Sequence, residues 1–132
     1  LASTFSQLEA KIEASYTEGT STEQAELLAA EFLHAQLHVS DLLKSASLDA
    51  SMRKSGLKAI RAAVYLEAAK ASDKKPSDVM LAAMVDSHEI VQQEQEAYDK
   101  AIAESEYLER YYNIFQNAHI YYRGIAKGNF GG

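Results

Sequence analysis

HEIVQQEQEAYDKAIAESEYLERYYNIFQNAHIYYRGIA, residues 88–126, decides how this chain folds. The stretch holds no proline, and its only glycine is Gly124. Steps of three and four pick out Val91, Glu94, Tyr98, Ala101, Ser105, Leu108, Tyr112, Phe115, His119, Tyr122 and Ala126. That spacing predicts one long helix with a mostly apolar heptad seam. A second seam, Tyr107, Tyr111, Ile114, Ala118, Tyr121 and Ile125, runs beside it in the C-terminal half. One stripe buries one face of a helix. Two adjacent stripes predict burial from two sides, with the second side open to another subunit. Tyr107, Tyr111, Ile114, Phe115 and Tyr122 are the expected subunit contacts, and the chain is expected to be a homo-oligomer.

Working outward, the composition agrees with helix throughout. Of 132 residues, 47% are hydrophobic, six are glycine and one is proline. No window alternates in the period-two manner of a strand. The expectation is an all-α, antiparallel helical bundle with heptad-like packing, a single helical domain over 1–127 and a flexible tail over 128–132. With no cysteine, disulfides and thiolate metal sites are excluded. No apolar run reaches the ~20 residues of a membrane span, and no secretory signal is visible. A cytoplasmic location is expected.

The other helices follow from local signals. Residues 4–16 read as a helix with a Thr4–Gln7 capping box, Phe5, Leu8, Ile12 and Tyr16 on one face, and Gly19 just past its end. Thr20 with Glu23, or Ser21 with Gln24, can cap a second helix over about 22–46. Its seam is Leu28, Phe32, Ala35, Val39, Leu42 and Ala46, broadened by Leu27, Leu33, Leu37 and Leu43. Ser45, Ser47, Asp49, Ser51, Ser55 and Gly56 are poor interior residues and predict a break near 46–49, with a continuous, bent helix as the alternative. A third helix, about 50–71, turns Leu57, Ile60, Val64, Ala68 and Ala71 inward and stops before Pro76. Ser77 can cap a short helix over 78–85, and Asp86 with Glu89 offers a capping box for the long one.

Charge is segregated along the chain. The total is −6. Residues 1–43 carry −6 and residues 76–132 carry −5, whereas residues 44–75 carry +5, from Lys44, Arg53, Lys54, Lys58, Arg61, Lys70, Lys74 and Lys75 against three acids. Lys54, Lys58, Arg61 and Tyr65 share one helical face, with Arg53 beside them. Aligned cations next to an aromatic ring suit a single-stranded polyanion. A solvated face, or one neutralised by acidic helices of the same bundle, is the alternative.

Other chemistry is poorly represented. Glu31 and His34 form an E-x-x-H, half of a carboxylate-bridged di-metal motif. Its nearest counterpart is Gln116 with His119, where glutamine replaces the needed acid, so no metal and no other cofactor is expected. There is no nucleophile motif and no phosphate-binding glycine loop, so no catalytic residues and no enzyme are expected.

The STEQAELLAAEFLHAQL opening of the second helix, the basic GLKAIRAAVY stretch, the KPSDVML-to-VDSHEIV region and the closing RGIAKG together resemble the recombination mediators typified by UvsY of T-even phages. The resemblance covers about 22–128. It implies a small helical protein that forms rings, binds single-stranded DNA and loads a recombinase. Lys58 and Arg61 match the family's basic pair near an aromatic, here Tyr65, with one extra residue between them. The acidic balance departs from that family, whose members are basic. A helical adaptor or assembly protein with no nucleic-acid role is the other reading, and the two differ in whether the face of Lys54, Lys58 and Arg61 is free.

Overall fold

The computed structural model describes residues 2–71, 73–74 and 76–128. Lys75 of the basic segment and the tail residues 129–132 lie outside them. The described residues form four helices: α1 (Ala2–Glu18), α2 (Thr22–Lys70), α3 (Asp78–Ser87) and α4 (Glu89–Ala126). No strand occurs among the described residues, and the all-α bundle with a long C-terminal helix is what the seams required.

Helix ends follow local chemistry where a cap exists. Gly19 takes a φ of 80°, the left-handed conformation that only glycine adopts at no cost. Its N–H donates to the Ser15 carbonyl at 2.9 Å and closes α1. Ser21 and Gln24 form a reciprocal box: the Gln24 N–H donates to Ser21 Oγ and the Ser21 N–H to Gln24 Oε1. Ser77 caps α3 by accepting from the Met80 N–H at 3.2 Å. Two expected caps are absent. Thr4 lies inside α1, which already begins at Ala2. The start of α4 is held by His88, whose Nδ1 accepts from the Ile90 N–H, and not by Asp86.

The break expected near 46–49 does not occur; of the two alternatives the continuous helix is the one found, and α2 runs uninterrupted for 49 residues. Serines and glycine lower intrinsic helicity by only a few tenths to about 1 kcal/mol each. Burial of Ala50 and Leu57 on the inner face outweighs that cost.

The chain forms two compact units. The first comprises residues 1–43 and 106–132, so α1, the first part of α2 and the last part of α4 belong to it. Phe32 of α2 stacks on Tyr122 at 5.7 Å and meets Phe115 at 5.8 Å. Gln36 donates to the Tyr112 hydroxyl. These pairs run in opposite senses along the two helices, so α2 and α4 are antiparallel here. Phe5 of α1 packs on Tyr111 at 5.0 Å and edge-on to Phe115 at 5.6 Å, while Tyr16 meets Tyr121 further along. Helix α1 therefore runs parallel to α4. Leu27, Leu33 and Leu37, expected to broaden the α2 seam, are exposed instead.

The second unit comprises residues 44–105. Leu57, Val64, Val85 and Val91 form its buried cluster, with Ile60 and Tyr98 packed against it. The short α3 contributes Leu81 and Val85 and leaves Val79 and Met84 exposed.

Every residue of both α4 seams is buried or half-buried. The first seam faces α2. The second faces α1, which corrects the expectation of a partner subunit on that side. Tyr111, Phe115 and Tyr122 are 5%, 0% and 0% exposed within one chain, so they have no surface left for a subunit contact. Tyr107 and Ile114 are half-buried on the same side. The sequence marked the apolar arc correctly and assigned the wrong element to cover it.

Candidate functional site

The residues singled out for binding all sit on α2 within the second unit. At 100° per residue, three faces emerge over 44–70. Ala50, Leu57, Ile60 and Val64 make the inner face. Lys54, Lys58, Arg61 and Tyr65 make a second face beside it. A third, opposite the core, carries Leu48, Met52, Ser55, Ala59, Ala62 and Leu66, all exposed.

The basic face is only partly free. Arg61 donates to Asp86 Oδ1 at 2.6 Å, and Arg53 donates through Nε to Asp49 Oδ2 at 3.2 Å. Lys54 and Lys58 are exposed and form no ion pair among the described residues. Tyr65 stands exposed one turn beyond Arg61. Arg61 also borders a groove of about 370 Å³ whose wall includes Asp86, Glu96 and Asp99. Arg61 thus shares its charge with Asp86, with Glu96 and Asp99 lining the same groove, which weakens its hold on a phosphate relative to Lys54 and Lys58. What remains unengaged among the described residues of this face is two lysines and a tyrosine.

The third face is the feature that the sequence reading missed. Leu48, Met52 and Leu66 are 62%, 66% and 56% exposed. They recur with Ser55, Ala59 and Ala62 at steps of four and three, the period of a coiled-coil seam. The signal was present in the spacing. Placing a break at 46–49 divided the ladder and hid it.

The first unit holds the tyrosines of α1 and of the C-terminal part of α4. Tyr111 donates to Glu9 Oε1 at 3.0 Å, and the hydroxyls of Tyr122 and Ser15 are bonded to each other. Burial raises the Tyr111 phenol above its usual range, and the hydrogen bond and negative charge of Glu9 add to it. Burial also raises Tyr122, against the opposing hydrogen bond from Ser15. The Tyr111 and Tyr122 rings are core and offer no free stacking face.

The E-x-x-H residues are occupied otherwise. Glu31 pairs with Lys11 Nζ at 2.6 Å, His34 is exposed, and His119 donates from Nδ1 to the Ala29 carbonyl at 2.9 Å. No cluster of three or more His, Asp or Glu side chains is poised around a common point among the described residues. A shallow groove of about 340 Å³ between α1 and α2 is bounded by Leu27, Leu28 and the Lys11–Glu31 pair. No described helix is long and apolar enough to cross a membrane.

Compared with protein-family models, with curated proteins and with solved structures, the chain matches none. The likeness to recombination mediators thus rests on the quoted motifs.

Proposed function

We propose that this is a non-enzymatic, self-associating helical assembly protein that works by presenting helix faces to other protein surfaces, in the cytoplasm. The observation that carries this reading is the exposed ladder of Leu48, Met52 and Leu66 on the α2 face opposite the core. A contiguous apolar stripe open to water is uncommon on a monomer and marks an interaction surface. Each large side chain gains about 1.5–3 kcal/mol on full burial. Six such side chains, three per copy and each already partly buried in the monomer, supply about 5–12 kcal/mol, the same order as the ~4–15 kcal/mol that association costs. Light scattering over a concentration series tests it. A rise from monomer to dimer or larger mass across the micromolar range is expected, with Met52→Glu shifting the series back to monomer. A wild-type protein that stays monomeric at hundreds of micromolar would overturn the reading.

A second reading is single-strand binding of the kind that recombination mediators combine with recombinase loading. The observation in its favour is that Lys54 and Lys58 are unpaired and exposed beside Tyr65. Two contacts per chain give weak affinity at physiological salt, so this activity would need several copies acting together. It stands second because Arg53 and Arg61 are engaged by carboxylates of the same unit.

A further inference from the structure

We infer that the Leu48–Leu66 ladder docks on the same ladder of a second copy, with the two α2 helices parallel and in register. The inference rests on the self-association proposed above and specifies its geometry. With Leu48, Ser55 and Ala62 at d and Met52, Ala59 and Leu66 at a, the six layers span 18 helical steps, about 27 Å at ~1.5 Å per residue. Identical residues meet at each layer, which is the self-complementarity that a twofold axis demands. The small Ser55, Ala59 and Ala62 let the helices approach closely at mid-ladder, and the large Leu48, Met52 and Leu66 close its ends.

Direction follows from the flanks. One flank, at g positions, holds Lys44, Ser51, Lys58 and Tyr65; the other, at e positions, holds Asp49, Gly56, Ala63 and Lys70. In a parallel pair each g residue faces the e residue five positions later on the partner helix. Lys44 then faces Asp49 of the second copy, and Tyr65 faces Lys70, a cation over an aromatic ring. Asp49 engages its own Arg53 through Oδ2 only, leaving Oδ1 for the lysine. Lys44 forms no ion pair among the described residues. An antiparallel pair would bring g against g. Lys58 lies near the ladder midpoint, so two copies of Lys58 would meet there as like charges.

The chain has no cysteine, so introduced thiols report on this contact alone. Leu48→Cys, Ser55→Cys and Leu66→Cys should each, as a single variant, oxidise to a disulfide dimer, while exposed Leu27→Cys in the first unit should not. Lys44→Glu or Asp49→Lys alone should weaken the dimer about fivefold, an effect in the range of a rim ion pair made twice per dimer. Lys44→Glu with Asp49→Lys should restore it. Crosslinking only in a mixture of Leu48→Cys with Leu66→Cys would show the antiparallel arrangement and overturn the inference. A dimer by light scattering in which none of these positions crosslinks would overturn it as well, leaving self-association standing. A monomer at all concentrations would overturn both.

Discussion

The Arg61 guanidinium donates to the Asp86 carboxylate across 2.6 Å, joining the C-terminal part of α2 to the last turn of α3. Both side chains keep substantial contact with water, so the pair contributes about 0–1 kcal/mol to stability. Its larger effect is on the surface. It withdraws one cation from the face that carries Lys54, Lys58 and Tyr65. Asp86→Asn should therefore change the denaturation midpoint little. If single strands bind this face, the same change should add one phosphate contact. The slope of log affinity against log salt should steepen from about −1.4 to about −2.1, at about −0.7 per contact. Fluorescence anisotropy of a labelled oligonucleotide across salt measures it.

The two unpaired lysines provide the complementary test. Lys54→Ala with Lys58→Ala should abolish the salt dependence of any single-strand binding. Helicity by circular dichroism should hold, since alanine is the better helix former. Tyr65→Ala should cost roughly 1–3 kcal/mol of affinity if a base stacks there, with the salt slope unchanged. Wild-type protein that fails to bind at low salt would remove the nucleic-acid reading and leave protein assembly.

Phe5 is the side chain through which α1 holds the first unit. It is buried against Tyr107, Tyr111 and Phe115. Phe5→Ala should destabilise by about 3–5 kcal/mol, the range for large aromatic truncations in a core. Tyr16, on the same helix but mostly exposed, should cost less than about 1 kcal/mol when changed to alanine. Urea denaturation of both variants checks the contrast. Equal losses would mean that α1 is not anchored through its first turns.

Alkaline pH should loosen the same unit. Folding raises the Tyr111 phenol, through burial first and Glu9 second. Above pH ~10, where an unfolded tyrosine ionises, the unfolded chain therefore binds fewer protons than the folded one. Stability contributed by the neutral phenol is complete below that pH and is lost as pH rises through the folded-state value. The melting temperature should be flat from about pH 8 to 9.5 with respect to this group and fall beyond about pH 10. Glu9→Gln removes the negative charge facing the hydroxyl, so tyrosinate absorbance should appear at lower pH in that variant. An unchanged titration would sever the link between Glu9 and Tyr111.

Legibility in the sequence divides by range. Gly19, the Ser21–Gln24 box and Ser77 were readable because a cap is decided by residues three or four apart. The α4 seams were readable because period alone marks a buried arc. What covers that arc was not, since nothing local distinguishes a parallel α1 carrying Phe5 from the face of another subunit. The uninterrupted α2 was obscured because propensity at Ser47, Ser51 and Gly56 is small beside the burial of Ala50 and Leu57. The basic face was found, but Arg61 was assigned to phosphate and Asp86 to a cap. Their meeting depends on how α3 packs against α2, which neither local spacing nor charge count encodes.

The contacts of α1 also carry an order of events. Glu9 and Tyr111 are 102 positions apart, whereas the second unit closes using residues 44–105 alone. A ribosome delivers about 5–20 residues per second. Phe5 therefore waits on the order of 5–20 seconds, its ring without its native partners, until the helix it packs on has been made. During synthesis residues 44–105 can complete their core before the α4 segment that α1 packs on has been made. That interval leaves the Phe5 ring open to chaperones and to misassociation.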